Sequence, residues 1–283
     1  MSAAETIDEE ARRGELATSL RELVVSRSFK VPLLPEAGRQ LLAAATGPDL
    51  SLRDLVAEIR SEPMIAAKVL STANSSLYGN GQPVHSLHQA GMRLGLHALR
   101  DLLSQAVAEA YVFTGRSRRQ LKAQRFHAVV VAYVSREIAR SCGCTDPLVF
   151  LAGLFHDLGH PVLLQHLAEH PLPSMTREDL PVLTELVHPI LGDRVARAWN
   201  LPQRVAEVAR FHHCYRGSGE ESGLSPVVSV VAAADRLAYH LGIGARQLST
   251  GLYEDPIWDE LGIGEEKLDE LRDLAVSLRS GPN

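Results

Sequence analysis

Apolar residues recur three and four positions apart along almost the whole chain, the spacing that gathers them on one face of an α-helix. "LATSLRELVVS" and "PEAGRQLLAAA" show it first. "DLSLRDLVAEIRSEPMIAAKVLSTAN" predicts two helices split at Pro63. Asp49 or Ser51 is the start signal of the first, and Pro63 fits the first turn of the second. Further helices are predicted over "HALRDLLSQAVAEAYVF", "FHAVVVAYVSREIARS", "DPLVFLAGLFHDLG", "LPVLTELVHPILGDRVARAW", "PQRVAEVARFHH", "SPVVSVVAAADRLAYHLG" and "GEEKLDELRDLAVSL". The Val-rich "VVVAYV" would suit a strand in isolation, but it lies inside a longer 3.6-residue pattern. No alternating run of strand length sits between turn residues. The prediction is an all-α protein of roughly a dozen helices.

Two stretches read as loops: "YGNGQPVHS" (78–86) and "SGEESG" (218–223). "TGRSRRQLKAQR" (114–125) joins the two halves and carries Arg116, Arg118, Arg119, Lys122 and Arg125 with no acid. It is either a solvated helix start or a docking surface for a phosphate or an acidic partner. With 283 residues, 45% of them hydrophobic, the chain can bury a sizeable core. A net charge of -5 gives no overall pull toward nucleic acid or anionic lipid. No stretch approaches the roughly 20 apolar residues of a membrane span. The opening "MSAAETIDEEARRGEL" lacks the apolar core of a secretory signal. Cys142, Cys144 and Cys214 are too few and odd in number for a disulfide framework, and the C-x-C pair reads as free thiols. Together these features suit a reduced, cytoplasmic setting.

Candidate chemistry enters at "LAGLFHDLGHPVLLQHL" (151–167), where His156 directly precedes Asp157 after an apolar run. Asp235 lies in an equally apolar setting, "VVAAADRLAYH". A bare buried carboxylate is very costly, so each must be exposed, paired or coordinated. Imidazoles accompany them on successive helices: His127, His156, His160, His188, and the doublet His212-His213. Mixed His and Asp donors suit Fe, Mn or Zn better than Mg. Ligands from separate helices suit a site in a bundle core. Two ions bridged by Asp157 would activate a water and clamp a phosphoryl oxygen. Against this, a single His on a helix face is more often a hydrogen-bonded structural residue, and spacing alone leaves both readings open.

The order His127, His156-Asp157, His188, His212-His213, Asp235 resembles the HD superfamily of metal-dependent phosphohydrolases. Its contexts are "FHAVVVAYVSREIA", "LAGLFHDLGH", "HPILGDRVARAWNLPQRVAEVARFHH" and "AAADRLA". The segment from His188 through the doublet looks most like the branch holding the HD-GYP cyclic di-GMP phosphodiesterases and the HDOD domains. Upstream, Pro32 and Pro35 flank Leu33-Leu34, followed by Glu62-Pro63, Ala73-Asn74-Ser75-Ser76, Tyr78 and Leu94-Gly95. These are similar to the N-terminal part of HDOD domains, and on them the chain is identified as a member of that family over about residues 24–245.

The resemblance implies an all-α HDOD fold: a helical bundle (24–115) on an HD-like core (120–245), flanked by a helical extension (1–23) and a helical tail (246–283). It implies His127, His156, Asp157, His188, His212, His213 and Asp235 as ligands for one or two divalent ions. It further implies a regulatory module working through signalling protein partners. The alternative is a metal-dependent phosphohydrolase acting on a nucleotide, cyclic dinucleotide or other phosphate ester, with Asp157 and His160 catalytic. Three departures count against HD-GYP hydrolysis. His160 replaces the Lys of "HD-x-G-K", the doublet is followed by "CYRGSGEESG" without the "GYP", and Ala123 replaces an acid one turn before the first His. His160 is then either a helix-end residue facing solvent or a phosphate contact in place of Lys. A nucleotide is the small ligand to expect, and neither a membrane nor nucleic acid is.

The remaining features have plainer roles. Residues 1–23 should form a helix for packing or for homodimer formation. Leu268, Leu271, Leu274 and Val276 should share a packing face of the tail. His85, His88, His97, His166 and His170 read as surface or loop residues. Trp199 reads as a core anchor, and Asn74 as a brace for a turn.

Overall fold

The computed structural model describes residues 3–279 except 48, 76, 77, 80, 116, 117, 177, 216–223, 245 and 247. The Ser76 position and the predicted 218–223 loop therefore lie outside the described residues. The all-α prediction holds: thirteen α-helices and one π turn are formed, with no β-strand among the described residues. The chain forms two compact units, Leu33–Thr114 and the remainder, Met1–Pro32 with Gly115–Asn283. No helix among the described residues is long and apolar enough to cross a membrane.

Helix α1 (Ala3–Val25) opens the larger unit. The smaller unit holds α2 (Glu36–Thr46), α3 (Leu52–Arg60), α4 (Pro63–Ala73) and α5 (Leu87–Val107). Ser51 caps α3 through a reciprocal pair with Asp54, which fills two helix-end amides. Pro63 starts α4, where its missing N–H costs nothing. Asn74 ends α4, and its side chain holds Val84 at both backbone atoms, accepting at 2.8 Å and donating at 2.9 Å. The helix predicted from His97 begins just past a break at Gly95, whose φ of 77° suits glycine. A capped stretch from Leu87 precedes that break, and Ala108–Val112 closes the element as a π turn. Leu41, Leu55, Ile59, Val69, Leu99 and Leu103 form the core of this unit.

The larger unit continues with α6 (Arg118–Ser141), α7 (Val149–Phe155), α8 (Gly159–Glu169) and α9 (Asp179–Ala198). It ends with α10 (Gln203–Phe211), α11 (Pro226–His240), α12 (Ile257–Leu261) and α13 (Glu265–Arg279). Helix α11 is buried nearly all round, as its uninterrupted Val/Ala run requires. Val130, Val134, Val227, Val230, Val231 and Leu237 meet in the core that it shares with α6. Each such side chain contributes about 1.5–3 kcal/mol relative to exposure, enough to override the β-preference of valine. Trp199 is buried, with its indole N–H donating to Pro32 O at 2.7 Å. Leu16, Leu20 and Val24 of α1 are buried, and that helix packs on α9.

Two expectations need correction. The segment "DPLVFLAGLFHDLG" is not one helix: α7 stops at Phe155, His156–Leu158 turn, and α8 starts at Gly159. At the start of α8 the chain passes so close to α9 that a β-carbon on residue 159 would lie 2.1 Å from the carbonyl oxygen of His188, an approach that only glycine allows. On the tail, the buried face is Leu268, Leu271 and Ala275, while Val276 is 47% exposed. Position 275 continues the 3–4 spacing, and 276 is one residue, about 100°, further round.

Candidate metal centre

Five elements of the larger unit bring all seven predicted ligands together. His127 comes from α6, His156 and Asp157 from the turn after α7, and His188 from α9. His212 and His213 follow α10, and Asp235 lies on α11. All are buried except His213, which is half-buried.

Four of the imidazoles are anchored in the same way. The Nδ1 atoms of His127, His156, His188 and His212 lie 2.7–3.1 Å from the carbonyl oxygens of Ile243, Gly153, Thr184 and Val208. A carbonyl only accepts, so each Nδ1 carries the hydrogen and each Nε2 presents a lone pair. Those lone pairs point at one another and at carboxylate oxygens. His127 Nε2 is 3.2 Å from His156 Nε2 and 3.0 Å from Asp235 Oδ1. His188 Nε2 is 3.3 Å from His212 Nε2 and 3.2 Å from Asp157 Oδ1. Asp157 Oδ1 and Asp235 Oδ1 are buried and receive no hydrogen bond.

The four pinned imidazoles and the two carboxylates form a buried set of acceptors, which favours positive charge at its centre. Burial pushes the His156 imidazole down, but Asp157 and Asp235 outweigh it and raise it to about 9. Burial likewise opposes ionisation of Asp235, yet His127 and His156 hold that carboxyl well below its usual range. A divalent cation would take the place of the second proton of the His156 ring, which can sit only on Nε2. Two donors about 2.1 Å from a common ion lie about 3.0–3.4 Å apart at angles of 90–109°, matching the spacings above. The sets that converge are His127, His156 and Asp157; His156, His212 and Asp235; and Asp157, His188, His212 and His213. The donor set is imidazole and carboxylate, with no cysteine in any such group among the described residues.

His213 is held differently. Arg246 donates to its Nδ1 at 3.0 Å, so the hydrogen of the neutral ring sits on Nε2, 3.1 Å from His188 Nε2.

His160 does not face solvent. It is buried, with its ring stacked on His188 at 4.1 Å between centroids. Burial, aided by His188, depresses its imidazole to about 3, so the ring is neutral. Beside it lies Glu185, an acid that reading the sequence did not single out, pushed up to about 7 by burial. The missed signal was its spacing: Glu185 is three residues before His188, on the same face of α9.

A cavity of about 580 Å³ opens on this end of the nest, over His127, Asp157, His160 and Glu185. Phe126, Leu164, Leu180 and Ile243 give it apolar walls, and Lys122 and Arg125 of the basic run also line it. Arg116 and the side chain of Arg118 lie outside the described residues. Among the other histidines His85, His88, His97 and His170 are exposed, while His166 is half-buried against Phe29.

Fold and centre together define an all-helical domain with a buried His/Asp nest. The HDOD domain model matches residues 31–215, and the chain belongs to that family. The fold is similar to that of a Shewanella amazonensis SB2B protein assigned to the metal-dependent phosphohydrolases. That likeness has a TM-score of 0.74 and 21% identity over 95% of this chain and 99% of that one. It is also similar to an HDOD domain protein of Geobacter sulfurreducens, with a TM-score of 0.68 and 21% identity over 94% of each chain. Identities this low speak for the fold alone. In sequence the chain is 28% identical to an uncharacterized Treponema pallidum protein over 232 residues, 77% of this chain and 44% of the relative. The chain thus spans less than half the length of that relative.

Proposed function

We propose that this chain is an HDOD regulatory module that binds one or two divalent ions of the Fe, Mn or Zn type and acts by engaging a signalling protein, without efficient turnover. The ligands would be His127, His156, Asp157, His188, His212 and Asp235, with His213 joining them once Arg246 no longer donates to its Nδ1. The observation that carries the metal is the ring of four Nε2 lone pairs, each fixed by a backbone carbonyl, around two carboxylate oxygens that lack any donor. The regulatory role is supported by family membership and by His160. A neutral imidazole there offers a phosphate no charge where the hydrolases that this chain resembles present Lys.

The cavity favours a second reading, a metal-dependent phosphohydrolase acting on a nucleotide or related phosphate ester. Its volume lies in the range of small-molecule sites. A divalent ion in the nest would act as a Lewis acid on a phosphoryl oxygen. Lys122 and Arg125 would offset the charge of the phosphate, and Phe126 would lie along an apolar or planar portion of the ligand.

The test is a turnover assay of the metal-loaded protein against cyclic dinucleotides, nucleotides and a generic phosphodiester. The proposed function predicts no turnover above the metal-only blank. Hydrolysis that disappears in Asp157→Ala would overturn it in favour of the second reading.

A further inference from the structure

Two carboxylate-x-x-histidine pairs face each other beside the nest. One is Asp157 and His160, spanning the turn into α8, and the other is Glu185 and His188 on α9. Their rings stack at 4.1 Å with planes 20° apart. The side chain of His160 makes no hydrogen bond among the described residues, although the residue is 95% buried. Its Nε2 stands 3.6 Å from Glu185 Oε1 and 3.9 Å from Asp157 Oδ2, too far for a hydrogen bond to either. Glu185 makes none either, its nearest cationic or imidazole neighbours being His160 and His213, the latter at 3.8 Å. Ligand atoms of His160, Glu185 and His188 all lie within 4.8 Å of one another.

A buried imidazole and a carboxylate separated by a gap, with no hydrogen bond between them, repeat at smaller scale the close approach of donor atoms in the nest. We propose that His160 and Glu185 hold a divalent cation at the cavity end of the centre; the third donor within reach is His188, whose one free nitrogen, Nε2, then serves this ion and not the nest. This rests on the reading that the nest binds metal, and it adds an ion for which two donors, His160 and Glu185, lie outside the seven predicted ligands. Carboxylate–His pairs three residues apart, facing each other across a helical bundle, form a general way of holding paired transition metals. His160 thereby has a role that the Lys of related hydrolases does not have, since a neutral imidazole is a ligand and an ammonium is not. Because His160 and Glu185 also line the cavity, this ion would be the one that a bound anion meets first.

The test is equilibrium dialysis of demetallated full-length protein against Mn²⁺, with bound metal counted by elemental analysis and spin coupling read by electron paramagnetic resonance. The wild type, Glu185→Gln and His160→Phe are compared, with melting in chelator as the control for folding. The expected result is a loss of about one equivalent in both variants and loss of the spin-coupled signal, while the nest ion remains. Stoichiometry equal to wild type in a folded Glu185→Gln protein would overturn the proposal. So would loss of every ion, because the pair would then belong to the nest. Absence of Mn²⁺ from wild type itself would instead sink the metal reading on which the proposal stands.

Discussion

Four buried carboxylates in the larger unit fall into two kinds. Asp179 and Asp255 are surrounded by donors. Arg12 grips Asp179 through both nitrogens at 2.7 and 2.8 Å, and Arg13 and the Thr176 amide add bonds at 3.0 and 2.8 Å. Asp255 receives Arg236 at 2.6 Å, with His240 at 3.2 Å. Asp157 and Asp235 are just as buried, yet each keeps an oxygen without a hydrogen bond among lone pairs. Burial alone therefore does not mark a site. The identity of the facing atoms separates the two kinds: filled acceptors hold the fold together, and acceptors facing acceptors make a setting that a cation would suit.

Substitutions can separate the two kinds. Gly159→Ala should be the most damaging, at about 3 kcal/mol of overpacking on top of the stabilisation lost with the metal, because its methyl meets the His188 backbone directly. It pushes the Asp157 turn away from α9 and leaves the Asp179 clasp untouched, so the urea midpoint and metal content should fall together. Next comes metal removal. An ion at a thousandfold excess over its Kd stabilises by about 4 kcal/mol, which predicts a chelator-induced fall of about 8 °C in Tm. Asp157→Ala should show no response to chelator at all.

Asp179→Asn should cost about 2–3 kcal/mol, or about 4–6 °C in Tm, by leaving Arg12 and Arg13 uncompensated. That loss should be equal with and without chelator, and a chelator-dependent loss would erase the distinction between the two kinds. The smallest effect is its pH dependence. Arg12, working against burial, holds the Asp179 carboxyl far below its ordinary value. The stabilisation is therefore complete above the unfolded pKa of about 3.9 and is lost as pH falls below it. The Tm gap between wild type and Asp179→Asn should narrow from about pH 5 downward.

Much of this was legible in the sequence, for identifiable reasons. Helical periodicity, Ser51, Pro63 and Pro226 act locally, so the elements they begin could be read directly. The seven ligand candidates stood out as polar residues in apolar runs and as a family pattern. Glu185 was missed because "LPVLTELVHPILGD" reads as an ordinary amphipathic helix, and its carboxylate matters only because His160 lies across from it. The close approach of Gly159 to His188 beside the break after Phe155 is long-range, 29 residues apart, and leaves no local signal. Arg12 and Asp179, 167 residues apart, carry no mutual sequence signal.

The distinction between the two kinds of carboxylate is tested most directly by elemental analysis of protein isolated without chelator, wild type beside Asp157→Ala. The prediction is about one to three equivalents of Fe, Mn and Zn summed in wild type, and almost none in the variant. Wild-type protein that is folded and carries less than about 0.3 equivalents, even after dialysis against these metals, would contradict it.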